Sequence, residues 1–172
     1  MRNRSLGIAI GVSLALAIPL FGCGDKFLLA SRGIRSLRGS IAAHPSSILI
    51  YRNPSSVMPA AEKEMRLQST LTLAGHKASS VESSTALGEA LKTGKYDLVL
   101  ADVSDAAVVK ERIESVSPKT RLVPVVSAVR KDRKVTEKEY GATITVPGNS
   151  GRLLASIDDA VEARAKATSR TR

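Results

Sequence analysis

The chain has 172 residues, 26 Lys and Arg against 16 Asp and Glu, and a formal net charge of +10. That length suits one folded unit, and a composition with 43% apolar and 24% charged residues excludes wholesale disorder. The absence of Trp, with aromatics at 3%, argues against a ring-stacking nucleic-acid platform; one Cys excludes an internal disulfide framework and a Cys-cluster zinc site.

Charge is unevenly placed at the start. Arg2 and Arg4 are followed by Leu6 to Phe21 without a charge, and then by Gly22-Cys23-Gly24. A basic start, an apolar stretch and a small-residue exit describe a secretory signal. Leu20-Phe21-Gly22-Cys23 resembles the lipobox of bacterial lipoproteins, which implies lipidation of Cys23; Phe21 departs from the small residue usual there. The alternative is an uncleaved anchor, since Leu6 to Gly22 as a helix spans about 25 Å against a hydrocarbon core of about 30 Å. Residues 1–22 are thus a signal peptide or membrane anchor. Membrane attachment through lipidated Cys23 or through the N-terminal helix is expected. The domain is expected in the cell envelope facing the periplasm, or alternatively on the cytoplasmic side of the inner membrane.

Residues 23–45 form a juxtamembrane linker in which Arg32, Arg35 and Arg38 recur every three residues, suited to anionic head groups or to a solvated helix face. From residue 46 to 167 strand and helix signals alternate. Ser47–Tyr51 (SILIY) is a buried strand closed by Arg52-Asn53-Pro54. Pro59–Ala74 reads as one helix stopped by Gly75, and Lys77–Val81 as a weak strand. Ser84–Lys92 reads as a helix capped by Ser83 or Ser84. Tyr96–Ala101 is the clearest strand, and Asp105–Val116 a helix with Val108, Ile113 and Val116 on one side. Leu122–Val126 is a fourth strand whose Pro124 requires irregular or edge pairing. Lys131–Glu139 is a charged helix, Ala142–Val146 a fifth strand, and Ser150–Lys166 a helix with Leu153, Leu154, Ile157 and Val161 inward. The tail, residues 168–172, is expected to be disordered. His76, after Gly75, is expected to be an exposed turn residue, and His44 a linker residue.

Five strands alternating with helices imply an α/β fold: a flavodoxin-like, doubly wound, five-stranded parallel sheet of order 2-1-3-4-5 behind the N-terminal apolar segment. The stretch Ser84 to Val103 (STALGEALKTGKYDLVLADV) resembles the second helix and third strand of bacterial response-regulator receiver domains. The resemblance implies a receiver-like fold over residues 46–167 and a phosphoacceptor position at Asp102. It implies Ser127 as the hydroxyl at the end of strand four and Thr143 as the switch position of strand five.

The same resemblance marks what is missing. The acidic pair that holds Mg²⁺ after strand one is replaced by Arg52-Asn53, and the lysine before the proline after strand five is Val146. Losing one such partner costs about 10² to 10³ in rate, so phosphotransfer is expected to be negligible. An Arg52–Asp102 ion pair would lock the site. Asp102 also has a plainer reading as a cap on the following helix. The expectation is therefore a non-catalytic pseudo-receiver, without cofactor, metal or nucleic-acid partner, that contacts an unidentified protein. In the receiver family that contact commonly lies on helix four, strand five and helix five, here around Arg130 to Tyr140, Thr145 and the last helix. A small anionic ligand at the strand ends near Arg52, Asp102 and Ser127, or a working phosphoacceptor facing the cytoplasm, are the alternatives.

Overall fold

The computed structural model describes residues 42, 44–129 and 133–170. The signal or anchor segment, Cys23, most of the linker and Arg130 to Asp132 of the basic run lie outside the described residues. Among the described residues no helix is long and apolar enough to cross a membrane.

Five parallel strands lie in the order β2-β1-β3-β4-β5: β1 (Ser47–Tyr51), β2 (Lys77–Val81), β3 (Leu98–Asp102), β4 (Arg121–Ser127) and β5 (Ile144–Val146). This is the expected doubly wound sheet. The helices are α1 (Met58–Met65), α2 (Leu67–Leu73), α3 (Ser84–Lys92), α4 (Ala106–Val116), α5 (Arg133–Tyr140) and α6 (Ser150–Arg170). Strand side chains alternate between two cores. Ile48, Ile50, Leu98, Leu100, Val123 and Val125 pack under α1, α2 and α6. Leu49, Tyr51, Val99 and Ala101 pack under α3 and α4. Both faces of the inner strands are covered, so β1, β3 and β4 read as unbroken apolar runs, unlike the edge strand β2.

Several boundaries differ from the sequence reading. The segment expected as one helix breaks at Arg66, which adopts a left-handed conformation at φ 47°. The inward residues explain why. Met58, Ala61 and Met65 keep helical phase, but Leu67 and Leu71 begin a stripe that a continuous helix would aim about 200° away from Met65. The break restores both stripes to the sheet. Thr70 Oγ1 donates to Met65 O at 2.9 Å, and the Glu62 carboxylate accepts from Gln68 N at 3.2 Å, satisfying groups the break exposes.

Pro124 lies inside β4 rather than at an edge. Arg121 N donates to Asp97 O and Val103 N to Val125 O, so odd-numbered residues of β4 face β3. Pro124 therefore turns its missing N–H toward β5. This accounts for a β5 that starts at Ile144 and not at Ala142. On α4 the inward residues are Ala106, Val109 and Ile113, whereas Val108 is 64% exposed and Val116 also faces solvent. Helix α6 continues to Arg170, past the expected end at Lys166, while its inward Leu153, Leu154, Ile157 and Val161 are as expected.

Two further contacts matter below. The outer edge of β2 is touched by Gln68 of α2, whose Nε2 lies 3.5 Å from Ala78 O and whose Oε1 accepts from Ser80 Oγ at 3.3 Å. At the opposite end of the strands, Arg164 of α6 donates to Lys119 O at 2.7 Å and pairs with Asp97 at 2.9 Å. Asp97 in turn accepts from Ser47 N at 2.8 Å.

Candidate functional site

The carboxyl edge of the sheet gathers the loops after β1, β2, β3, β4 and β5, where ligands of such folds bind. Asp102 closes β3 and is 3% exposed. A buried carboxylate requires donors, and this one has three. Oδ2 accepts from Val57 N at 2.7 Å, while Oδ1 accepts from Ser104 N at 2.7 Å and from Ser104 Oγ at 2.8 Å. Val57 is the N-cap position of α1, and Asp105 is that of α4. Asp102 therefore does cap a helix start, but that of α1 and not of the helix that follows it. Its second oxygen holds a tight turn within its own loop.

Arg52 is not paired with Asp102. Its guanidinium meets Glu82 at 2.8 Å, beyond the end of β2, while its backbone N–H continues the sheet by donating to Val81 O at 2.8 Å. Asn53 is the residue turned toward β3. Its Nδ2 donates to both oxygens of Asp105, at 2.9 and 3.0 Å, and its Oδ1 accepts from Ser55 N at 3.1 Å. The expected Arg52 plug is thus displaced sideways, and an amide occupies the inward position. Near it, burial raises the Tyr51 phenol above its usual value of 10.0, and the Asp105 charge adds to the rise.

Ser127 and Val146 are register partners at the ends of β4 and β5, as Asp102 and Val125 are on β3 and β4. All three candidate positions therefore share one sheet edge. Val146 is buried and brings no charge to it. Thr143 is also buried but precedes β5 instead of lying in it. A 420 Å³ cleft beside the site is lined by Arg52, Pro54, Pro59, Glu62, Lys63 and Glu82. Its two cations are balanced by two carboxylates, which gives no preference for an anion.

Mg²⁺ demands near-octahedral oxygen ligands. Here both Asp102 oxygens accept from protein donors, and Asn53 offers its amide nitrogen toward Asp105. Among the described residues no group of three or more His, Cys, Asp or Glu side chains could hold a metal ion. The donor set does not fit the ion that receiver chemistry uses.

His76 departs most from expectation, being 3% exposed. It follows Gly75, which ends α2 at φ 99°. His76 N donates to Leu71 O and Gly75 N to Thr72 O, both at 3.0 Å, a Schellman arrangement that turns the residue after glycine inward. Among the described residues neither ring nitrogen has a hydrogen-bond partner, and Asp158 Oδ1 on α6 is likewise buried without one. Burial lowers the His76 pKa below 6.5, and the Asp158 charge opposes that.

No protein-family model and no curated protein matches the chain by sequence. Solved structures match by fold. A response regulator receiver protein from Sinorhizobium medicae aligns at 21% identity and TM-score 0.51, over 70% of this chain and 98% of that one. A response regulator from Thermotoga maritima aligns at 19% identity and TM-score 0.54, over 69% and 99%. NtrX from Brucella abortus, solved with ADP, aligns at 18% identity and TM-score 0.61; the match covers 74% of this chain and only 29% of NtrX. The fold is that of a response-regulator receiver domain.

Proposed function

We propose that the chain is a membrane-anchored pseudo-receiver that works by protein–protein contact and not by phosphotransfer. The observation that carries this reading is the occupation of Asp102. Its carboxylate is already committed to Val57 N, Ser104 N and Ser104 Oγ. A nucleophilic carboxylate also needs a metal beside it that neutralises the incoming charge, and Arg52, Asn53 and Val146 bring neither acid nor lysine to this edge. The Arg52–Glu82 and Asn53–Asp105 contacts tie the same loops together. The site so built resembles a receiver held in one conformation, which suits a constitutive docking module. By resemblance the contact surface is α5, β5 with Thr145, and α6. The apolar segment before Cys23 supports attachment to the envelope, with the domain facing the periplasm.

The test is labelling of the full-length protein with acetyl phosphate and Mg²⁺. No incorporation is expected; Mg²⁺-dependent incorporation that disappears in Asp102→Asn would overturn the reading. Attachment is tested separately by palmitate labelling, which Cys23→Ser should abolish, and by protease access in spheroplasts.

A further inference from the structure

Parallel strands place all their first residues at one edge, and α6, running back across the sheet, ends at that same edge. The described chain also begins there: Ala42 N donates to Ala74 O at 2.8 Å, beside the start of β2. Any anchor N-terminal to Ala42 is therefore tethered to the strand-start edge and not to the Asp102 edge.

The unpaired charges in the loops and strand starts of this edge are basic, while the neighbouring helix ends add the exposed Glu114 and Glu139. Lys77 opens β2, Lys95 precedes β3 and Lys119 precedes β4, and all three are exposed. None has an ion-pair partner among the described residues. Neighbouring strands are about 4.8 Å apart, so β2 to β4 sets these lysines in a row roughly 14 Å long. The one acid in the loops of this edge, Asp97, is neutralised by Arg164. From Arg164 onward the sequence holds Arg164, Lys166, Arg170 and Arg172, of which Lys166 is paired with Glu162 at 2.6 Å. Helix α6 carries part of this run to Arg170, about 9 Å along its axis beyond Arg164. At the opposite edge the described charges are mixed: Arg52, Lys134 and Arg152 stand among Glu82, Asp102 and Asp105.

We propose that the strand-start edge, with Lys77, Lys95 and Lys119 at its centre, docks on an anionic lipid surface and holds the Asp102 edge away from the membrane. The proposal rests on the anchored reading above and adds an orientation to it. A tether alone leaves the domain free to tumble. Each basic residue near an anionic leaflet favours the docked orientation by about fivefold, and three by on the order of a hundredfold.

The full-length protein, with Cys23 retained, carries a fluorophore on an encoded bio-orthogonal amino acid at position 115 near the strand-start edge or at position 55 at the other edge. Energy transfer to a head-group acceptor is measured on phosphatidylcholine vesicles with and without phosphatidylglycerol. Higher transfer from position 115 than from 55 is expected on the anionic vesicles. The contrast should collapse on neutral vesicles, in about 0.5 M salt, where screening is strong, and in Lys77→Glu/Lys95→Glu/Lys119→Glu. Equal transfer from both positions, or an undiminished contrast on neutral vesicles, overturns the proposal. The salt arm uses the unmutated face, so it decides the matter even if the triple variant misfolds. Failure to float with neutral vesicles would count against the anchor alone; salt-sensitive flotation with anionic vesicles, lost in the triple variant, would still support the basic face.

Discussion

Replacing His76 by Leu should stabilise the protein. The ring is 3% exposed, and both of its nitrogens and Asp158 Oδ1 are buried without partners among the described residues. A buried polar group left unsatisfied costs about 1–3 kcal/mol. Leu has a similar volume and follows Gly75 at a position whose usual role is an apolar contact with the helix end. A gain of about 1–2 kcal/mol at neutral pH is therefore expected, or roughly 3–6 °C in Tm for a domain of this size. The pH dependence sharpens the test. Burial holds the folded-state pKa of His76 below its unfolded value of 6.5, with the Asp158 charge in partial opposition. The unfolded chain thus takes up the proton first. Stability is complete above about pH 6.5 and falls as the pH drops from there through the folded-state value. His76→Leu should lose that part of the acid sensitivity. Thermal melts of the full-length protein in mild detergent, from neutral to mildly acidic pH, measure both effects. A variant less stable than the parent, or two curves that fall in parallel below pH 6.5, would refute the account of His76 as a buried and unpaired ring.

Four other outcomes follow from the same geometry. Asp102→Ala strips two backbone N–H groups and the Ser104 hydroxyl of their acceptor, and should cost about 2–4 kcal/mol by urea titration; a change under about 0.5 kcal/mol would show that the loops do not depend on it. Asn53→Asp places like charges where the amide now bridges to Asp105, so it should destabilise by about 1 kcal/mol and recover in Mg²⁺. Arg52→Asp, aimed at Glu82, should not respond to Mg²⁺; the reverse ranking in Mg²⁺ titrations followed by melting would contradict the placement of these two side chains. Gly141 sits at φ 77°, and a Cβ there would lie 2.7 Å from the Arg121 guanidinium that bonds Tyr140 O; Gly141→Ala should cost about 1–2 kcal/mol in the same urea assay.

The strands were legible because β1, β3 and β4 are buried on both faces and read as uninterrupted apolar runs, whereas the edge strand β2 (KASSV) is largely exposed and weakly marked. The break at Arg66 was legible in principle, since Met65 and Leu67 cannot share a helix face. Val108 and Val109 are adjacent apolar residues, and choosing between them needs the phase set by Ala106 and Ile113. His76 misled because its polarity suggests solvent, while the glycine before it dictates an inward turn. At the site, the positions of Asp102, Ser127 and Val146 at one edge followed from the strands. Their partners did not. Val57 N and Ser104 N are backbone donors, which carry no residue-type signature, and Asn53 meets Asp105 across 52 positions of sequence. Which of two neighbours, Arg52 or Asn53, points inward depends on the strand's parity at its last residue, where pairing ends and alternation no longer decides.

A sheet with open sides invites a second copy to add its own strands. Both sides are closed here by cheap local means. On one flank Gln68 lies over Ala78 O and Ser80, occupying outward groups of β2 with its own amide. On the other, Pro124 withholds the donor that would lengthen β5, leaving only Ile144–Val146 as a terminal strand. Neither flank presents a long row of free backbone groups, which disfavours strand exchange and self-templated aggregation. Association of this protein with itself or with others is therefore channelled to side-chain surfaces on the helices and loops, where charge and shape can discriminate between partners.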